Sequence, residues 1–271
     1  MGRLIVAPVR EWRVLLLCVW LGSISALGAE PEAQWKTPDR LVDAFVELAL
    51  KSEYSSRETP VRKWTSPIRY QVVHHVGDSA LHEKLIATHL WHMAQITDLD
   101  VAPAATPGEA NFLIVMTSDD RLDADILAFA GTDKGGRRER FFRDSMCLAS
   151  LRADRSGAIL RATAMIPVDR ARGRGELVAC VVEELTHMFG ISNDTGRPLP
   201  SIFNHGTVRS FLTGLDYLVL KMLYDPRVRP GMKAPALRPL LQRIAVDLEQ
   251  SGLVELADPL AAENGLAGAC P

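Results

Sequence analysis

Glu183, Glu184 and His187 lie close together in the chain, and their types and spacing suit chemistry at a metal ion. Residues four apart lie on one face of a helix, so Glu183 and His187 can bind one ion together. Zinc accepts carboxylate oxygen as well as imidazole nitrogen. A carboxylate beside the first ligand, here Glu184, is placed to take a proton from metal-bound water. These residues predict a helical metal site with Glu184 as its general base.

The residues after this stretch extend the pattern. Gly190 follows His187 by three residues, Asn193 follows by three more, and Asp194 is next. In metzincin metalloproteases a glycine at the first of these positions lets the chain turn back, and the third zinc ligand stands at the second. The stretch resembles a metzincin motif in which His187 is the one expected histidine and Glu183 replaces the first. Asp194 is interpreted either as a ligand or as a brace for the following loop.

Two downstream segments resemble the same fold. Residues 200–204 (PSIFN) stand where a metzincin has a tight methionine-containing turn beneath the metal. Residues 212–224, from LTGLD to MLY, are similar to the helix that closes matrix-metalloprotease-like domains. His205 becomes a further candidate ligand if its loop folds back over the helix. The resemblance covers about residues 62–225 and implies a zincin-like domain.

A closer resemblance is to domain-of-unknown-function family 2927, a family of exported bacterial proteins. It rests on the words EELTHMFGISND, SIFN, LTGLD and LYDPRVRPGM. That family typically has glutamine at the position of His187 and often aspartate at that of His205, so both differences add an imidazole here. The family has no firmly assigned reaction. The resemblance therefore implies a fold rather than a function.

The first 29 residues have the pattern of a cleavable signal peptide. Arg3, Arg10 and Arg13 precede an apolar run over 14–27, and small residues follow it. The run is shorter than the roughly 20 residues of a membrane span. We expect cleavage after Gly28 or Ala29, and an exported protein that is periplasmic or secreted. An uncleaved leader is the alternative, and association with a membrane is expected only in that case.

Composition and cysteines limit the class of protein. Apolar residues make up 47% of the chain, enough for a proper core, and the formal net charge of −2 at pH 7 does not favour a nucleic-acid partner. Cys18 would leave with the leader. An oxidising compartment favours pairing of the others, and we predict a Cys147–Cys180 disulfide with Cys270 left over.

Periodicity predicts an α+β fold with a small twisted mixed sheet packed on helices. The resemblance described above implies that this fold is a zincin-like (metzincin-type) domain. The predicted helices span 37–52, 78–96, 125–131, 176–189, 213–224 and 235–250, and the predicted strands span 68–73, 110–116, 146–151 and 159–168. Residues 154–157 have hairpin chemistry, 132–144 form a charged loop, and the last twenty residues are expected to be frayed. The predicted organisation is a leader (1–29), a helical lead-in (30–61), the zincin-like domain (62–232) and a C-terminal helix with a tail (233–271).

Other basic residues are interpreted as solvated. His82, His89 and His92 are predicted to be exposed on a helix, with a surface metal patch as the alternative. The arginine-rich segments 134–143 and 170–174 are predicted to be solvent-exposed loops.

Two functions follow from these observations. The first is a non-catalytic, degenerate metzincin relative that binds a protein or peptide in the cell envelope, since one imidazole rarely holds catalytic zinc. The alternative is a divergent metal-dependent, peptidase-like hydrolase. It would bind zinc through Glu183, His187 and either Asp194 or His205, with Glu184 activating water. The first function needs no cofactor, and the alternative implies zinc.

Overall fold

The computed structural model describes residues 34–52, 58–130, 145–206 and 209–269. The predicted leader, the predicted loop over 132–144 and Cys270 lie outside these residues. No helix within the described ranges has both the length and the apolar character that crossing a bilayer requires.

A five-stranded sheet forms the centre of the molecule, in the order β2-β1-β3-β5-β4. Four strands are parallel, and β4 runs antiparallel to β5 at one edge. The strands are β1 Ile68–His74, β2 Val101–Pro103, β3 Phe112–Thr117, β4 Leu148–Ala153 and β5 Ile159–Pro167. The predicted hairpin at 154–157 joins β4 to β5 and is confirmed.

Helices surround this sheet. They are α1 Pro38–Ala49, α2 Ser79–Thr97, α3 Leu122–Asp125, α4 Val168–Gly173, α5 Leu177–His187, α6 Gly214–Tyr224, α7 Ala234–Gln250, α8 Leu253–Glu263 and α9 Leu266–Ala269. Short 3₁₀ turns span Gln34–Lys36 and Pro107–Glu109, and a π-helical turn, Ile126–Ala130, extends α3.

The two faces of the sheet are covered unequally. Successive side chains of a strand point to opposite faces. On one face Phe112, Ile114 and Ile166 join a large core with buried side chains of α1, α2, α5, α6 and α7. On the other face a small cluster is built from Val115, Leu122, Ile126, Leu148 and Met165. The prediction of a small mixed sheet packed on helices is confirmed.

The C-terminal segment corrects one prediction. The last twenty residues are not frayed, since α8 and α9 occupy most of them. Val254, Ala257 and Ala261 lie three or four residues apart and are buried in the main core. Short apolar side chains within a Gly- and Ala-rich sequence hid this amphipathic pattern. The sequence analysis also missed β2, because Pro103 indicates a break in regular structure. β2 is an edge strand, and proline is tolerated there.

The histidines of α2 and the arginines of 170–174 also differ from expectation. His82, His89 and His92 are at most 2% exposed, because α2 is covered on several sides by other helices. The segment 170–174 lies largely within helix α4. Arg170 pairs with Asp119 at 2.5 Å, and Arg172 pairs with Asp78 at 2.6 Å. These side chains tie α4 to neighbouring segments rather than standing alone in solvent.

Candidate functional site

Helix α5 carries the candidate site and ends where the motif predicts. Its apolar side chains, Val181 and Leu185 among them, are fully buried against the core. Gly190 then has a φ of +108°, a conformation that side chains disfavour. A Cβ atom there would lie 2.0 Å from the carbonyl oxygen of Arg62, so glycine is required. The chain can therefore reverse and bring residues 191–194 back beside His187.

A disulfide ties α5 to the edge of the sheet. Cys180 is bonded to Cys147, the residue before β4, with their Cα atoms 5.8 Å apart. The predicted pairing is confirmed. Because Cys180 lies one turn before Glu183 and Glu184, the bond fixes the carboxylate-bearing part of α5 relative to β4.

Three predicted ligands come together at the end of α5. Ligand atoms of Glu183, His187 and Asp194 all lie within 4.8 Å of one another, and we name these residues the α5 cluster. Nε2 of His187 lies 3.1 Å from Oδ1 of Asp194, and these side chains are 13% and 14% exposed. Nδ1 of His187 lies 2.8 Å from the carbonyl oxygen of Ile191. A carbonyl only accepts, so Nδ1 carries a proton and donates it.

The charges of the α5 cluster shift two pKa values upward. Burial by itself lowers the pKa of His187, but the carboxylates of Asp194, Glu184 and Glu183 outweigh burial and raise it to about 10. Burial and the charge of Asp194 raise the pKa of Glu183 to about 7, although His187 opposes them. The imidazole is therefore a cation at neutral pH, and it offsets part of the surrounding negative charge.

Glu184 and His205 occupy different places from the cluster. Glu184, the predicted general base, is buried beside it, close enough for its charge to act on His187. His205 is solvent-exposed and is not among the residues whose ligand atoms converge. Its backbone N–H donates to the carbonyl oxygen of Thr195 at 3.1 Å. The structure thus brings Glu184 to the site and leaves the His205 side chain outside it.

Asp194, rather than Asn193, faces the histidine. Asn193 stands in the third-ligand position of the motif, but its buried side-chain amide donates to the backbone carbonyl of Glu47 at 3.0 Å. The backbone N–H of Asn193 donates to the carbonyl of Leu48. Both bonds hold Asn193 against α1, and the next side chain turns toward His187.

Glu47 positions the returning loop, and the sequence analysis missed it. Its carboxylate accepts a hydrogen bond from Oγ1 of Thr195 at 2.9 Å and pairs with Lys51 at 2.6 Å and Arg197 at 3.5 Å. Burial favours a raised pKa for Glu47, but the bonds from Lys51 and Thr195 outweigh it and lower the pKa. A glutamate between the buried Val46 and Leu48 was the available signal, because a buried carboxylate needs partners.

The turn formed by residues 200–204 packs against His187. The ring of Phe203 is fully buried, and its centroid lies 4.5 Å from that of His187. Asp216 of α6 holds this turn by accepting from Oγ of Ser201 at 2.6 Å and from the backbone N–H of Ile202 at 3.1 Å. Burial raises the pKa of Asp216 despite these bonds. Thr213 and Asp216 also form a capping box, so one carboxylate both starts α6 and anchors the turn.

The donor set of the α5 cluster fits a divalent cation in its chemistry. One imidazole nitrogen and two carboxylate oxygens are ligands that zinc accepts. A hydrogen bond from Nδ1 to a backbone carbonyl is also the usual way of orienting a histidine whose Nε2 binds metal. The donor set of the α5 cluster differs from a set of three histidines. Nε2 of His187 is also already paired with the carboxylate of Asp194, 3.1 Å away.

Comparison with known proteins gives one match. The model of a protein family of unknown function (DUF2927) matches residues 38–243. No curated protein and no solved structure matches the chain.

Proposed function

The chain belongs to the DUF2927 family of proteins of unknown function, and from that premise we propose that it is an exported, zincin-like domain that binds an extended protein or peptide segment in the cell envelope. One observation carries the non-catalytic part of this proposal: the chain itself engages both ring nitrogens of His187. Nδ1 donates to Ile191, and Nε2 is paired with Asp194. The pKa of His187 is raised, so its imidazole carries a positive charge at the position where a hydrolase would have the charge of a metal ion.

Four features around α5 support the zincin-like relationship. The helix presents Glu183 and His187 on one face, Gly190 reverses the chain, Asp194 returns to the histidine, and Phe203 lies beneath the ring. A mixed sheet precedes the helix in the chain. Together these features support the zincin-like relationship that the sequence resemblance implies, with altered ligands.

Two independent features support export. The first 29 residues have the order basic, apolar, small that is typical of a signal peptide. The Cys147–Cys180 disulfide suits an oxidising compartment such as the periplasm or the exterior.

The edge strand β4 supports binding of an extended segment. It is the terminal strand of the sheet, and within the described part of the chain it pairs with β5 alone. Terminal strands offer backbone donors and acceptors that an extended peptide can use, and side-chain contacts then set its specificity. The disulfide holds this strand next to α5, so a peptide along β4 would pass the α5 cluster.

Peptide selection followed by amide hydrogen exchange tests this proposal. Peptides would be selected from a displayed library on the folded mature protein. A selected peptide is expected to slow exchange at amides of β4, and its N-methylated version is expected to bind at least about tenfold more weakly because it lacks the backbone donors. Peptides that leave β4 exchange unchanged, or a library that yields no binder, would contradict the proposal.

The convergence of three ligand atoms within 4.8 Å favours a second candidate, a metal-dependent hydrolase. Glu183, His187 and Asp194 would hold the ion after Nε2 of His187 had released its proton to solvent, and Asp194 would then bind the ion instead of pairing with the imidazolium. When bound, a divalent ion would supply Lewis-acid polarisation of a substrate carbonyl. Glu184 would act as the base, since it is buried beside the cluster.

Elemental analysis of the purified mature protein separates the two candidates. The binding proposal expects metal well below one equivalent in both the native protein and His187→Gln, and no cleavage of quenched fluorescent peptides. The hydrolase expects about one equivalent in the native protein, loss in the variant, and cleavage that Glu184→Gln abolishes while the metal remains.

A further inference from the structure

A basic cleft lies on the thinly covered face of the sheet, remote in sequence from α5. It has a volume of about 740 Å³, and four arginines line it. We name it the Arg cleft, after Arg62, Arg152, Arg155 and Arg161. Backbone and side chains of β3, β4 and β5 form its floor, and Phe129 forms part of its wall.

The arginines of the Arg cleft differ from most others in the described ranges because no carboxylate pairs with them. Seven arginines elsewhere have ion-pair partners: Arg69, Arg121, Arg170, Arg172, Arg197, Arg227 and Arg238. Within the described chain, no ion pair includes Arg62, Arg152, Arg155 or Arg161. Uncompensated positive charge is therefore concentrated in one cleft.

Strand register places two of these arginines directly opposite each other. Arg152 of β4 is the cross-strand partner of Arg161 of β5. Directly opposed residues of an antiparallel pair have Cβ atoms about 5 Å apart, and like charges there are destabilising. An anion between the two guanidinium groups would reverse this repulsion, since each group can donate two parallel hydrogen bonds to a carboxylate or phosphate.

Among the described residues that line the cleft, the one carboxylate is that of Asp154, and it is engaged in a turn. Oδ1 of Asp154 accepts from the backbone N–H of Ser156 at 2.8 Å and from that of Ala158 at 3.0 Å. The hydroxyl of Ser156 also donates to it, and this bond is the main reason why the pKa of Asp154 is lowered. Asp154 thus shapes the hairpin turn and forms no ion pair with the neighbouring arginines, which outnumber it, so the described lining keeps a net positive charge.

We propose that the Arg cleft is a binding site for a small, multiply charged anion that carries phosphate or carboxylate groups. The volume falls within the range of about 300–1,000 Å³ that is usual for small-molecule sites. Arg152 and Arg161 clamp one anionic group between the strands, and Arg62 and Arg155 meet further negative charge. Thr163, also in the lining, offers a hydroxyl donor. The site shares strand β4 with the peptide-binding function proposed above, but it does not require a peptide to bind there.

Isothermal titration calorimetry with two probes tests the site on the folded mature protein. Tripolyphosphate and citrate represent the two chemical sources of negative charge. At least one of them is expected to bind with one-to-one stoichiometry. The double variant Arg152→Gln/Arg161→Gln is expected to weaken that binding at least about tenfold, because two charge-assisted contacts are lost.

Arg174→Gln is the matched control, since Arg174 is exposed, is not among the residues that line the cleft and undergoes the same substitution. It is expected to change the affinity less than about twofold, as removal of one distant screened charge should. Tighter binding of tripolyphosphate identifies phosphate chemistry, and tighter binding of citrate identifies carboxylate chemistry. Either supports the proposal.

Three results would overturn it. They are absence of heat with both probes at about 10 mM, unchanged affinity in the double variant, and an equal loss in Arg174→Gln, which would indicate unspecific charge attraction. Circular dichroism and the melting temperature of each variant establish that it is folded. A thermal shift on adding the bound probe to the native protein, absent in the double variant, provides a second readout.

Discussion

The α5 cluster and the Arg cleft treat charge in opposite ways. At the end of α5, three carboxylates surround one imidazolium, and the chain supplies both signs within a few ångströms. In the Arg cleft, the four arginines are close to one another without a carboxylate partner among the described residues. The first arrangement offsets part of its electrostatic cost within the folded chain. In the Arg cleft, the repulsion between the arginines remains until an anion binds.

This difference indicates what each region is suited for. Buried charges that satisfy each other make a rigid structural unit, and removing one partner is costly. Two like charges opposite each other on solvent-accessible strands destabilise the folded protein only slightly, and a bound anion would replace their repulsion with attraction. The α5 cluster is therefore suited to holding a shape, and the Arg cleft is suited to recognition.

The largest expected effect is at the α5 cluster. His187→Gln should lower the free energy of unfolding by about 3 kcal/mol, because it leaves Asp194 and Glu183 facing each other without a cation. Urea unfolding measures it. The double variant His187→Gln/Asp194→Asn should lose less than the sum of the two single variants by at least about 1 kcal/mol. Additive losses would mean that the pair is not coupled, and the contrast with the Arg cleft would disappear.

The disulfide tests whether α5 owes its placement to a covalent link. Cys180→Ser should reduce the free energy of unfolding by about 3 kcal/mol, since the bond closes a loop between residues 33 apart in sequence. Thermal and urea unfolding measure the loss. Cys147→Ser and the double serine variant should show the same loss. An unchanged melting temperature in all three would show that packing alone holds the helix.

Lys63 can be compared with Arg62, which precedes it in the chain and lines the Arg cleft. It is buried, and its ammonium group donates to the carbonyl oxygens of Leu223 at 2.8 Å and Val228 at 3.0 Å. Burial lowers its pKa to about 8, although Asp225 opposes this. The unfolded value is about 10.4. The folded chain therefore binds fewer protons than the unfolded chain between these two pH values, and Lys63 adds stability as pH rises through that window.

We expect this contribution to be about 1.5 kcal/mol between pH 7 and 9.5. Urea unfolding across that range measures it, and Lys63→Met should remove the increase. Parallel pH profiles for the two proteins would show that carbonyl groups compensate the buried ammonium without a proton-linked cost.

The smallest expected effect is at the Arg cleft itself. Arg152→Gln should stabilise the anion-free protein by about 0.5 kcal/mol, because it removes a like-charge pair from directly opposite strand positions. This corresponds to a rise in melting temperature of about 1–2 °C for a domain of this size. Arg174→Gln should leave the melting temperature unchanged. A destabilised Arg152→Gln protein would mean that the arginine is compensated in the folded chain, as at α5.

Much of the candidate site was predictable because its signals are local. The spacing of Glu183 and His187 follows from helical periodicity, and Gly190 from the need for a left-handed turn. The capping box of Thr213 and Asp216 is a four-residue pattern. The leader and the zincin-like relationship stay predictions that the structure does not test.

Other parts depended on contacts between distant segments. The choice of Asp194 over Asn193 was decided by α1, whose backbone at Glu47 binds the asparagine amide. His82, His89 and His92 were predicted to be exposed, but several helices cover α2 and bury them. In each case the deciding partner lies far away in sequence, so no local pattern could reveal it.

The sequence by itself determined the helix that carries Glu183, Glu184 and His187 and the glycine at which the chain reverses after it. These depend on backbone geometry and residue chemistry over a few positions. Tertiary structure alone decided which side chain meets His187 and which arginines share a cleft. Arg62, Arg152 and Arg161 come from three segments. Strand register places Arg152 opposite Arg161, and the bridge between Lys63 and Ala158 holds the segment of Arg62 next to β5. Register is set by burial of the whole sheet, which no short stretch of sequence contains.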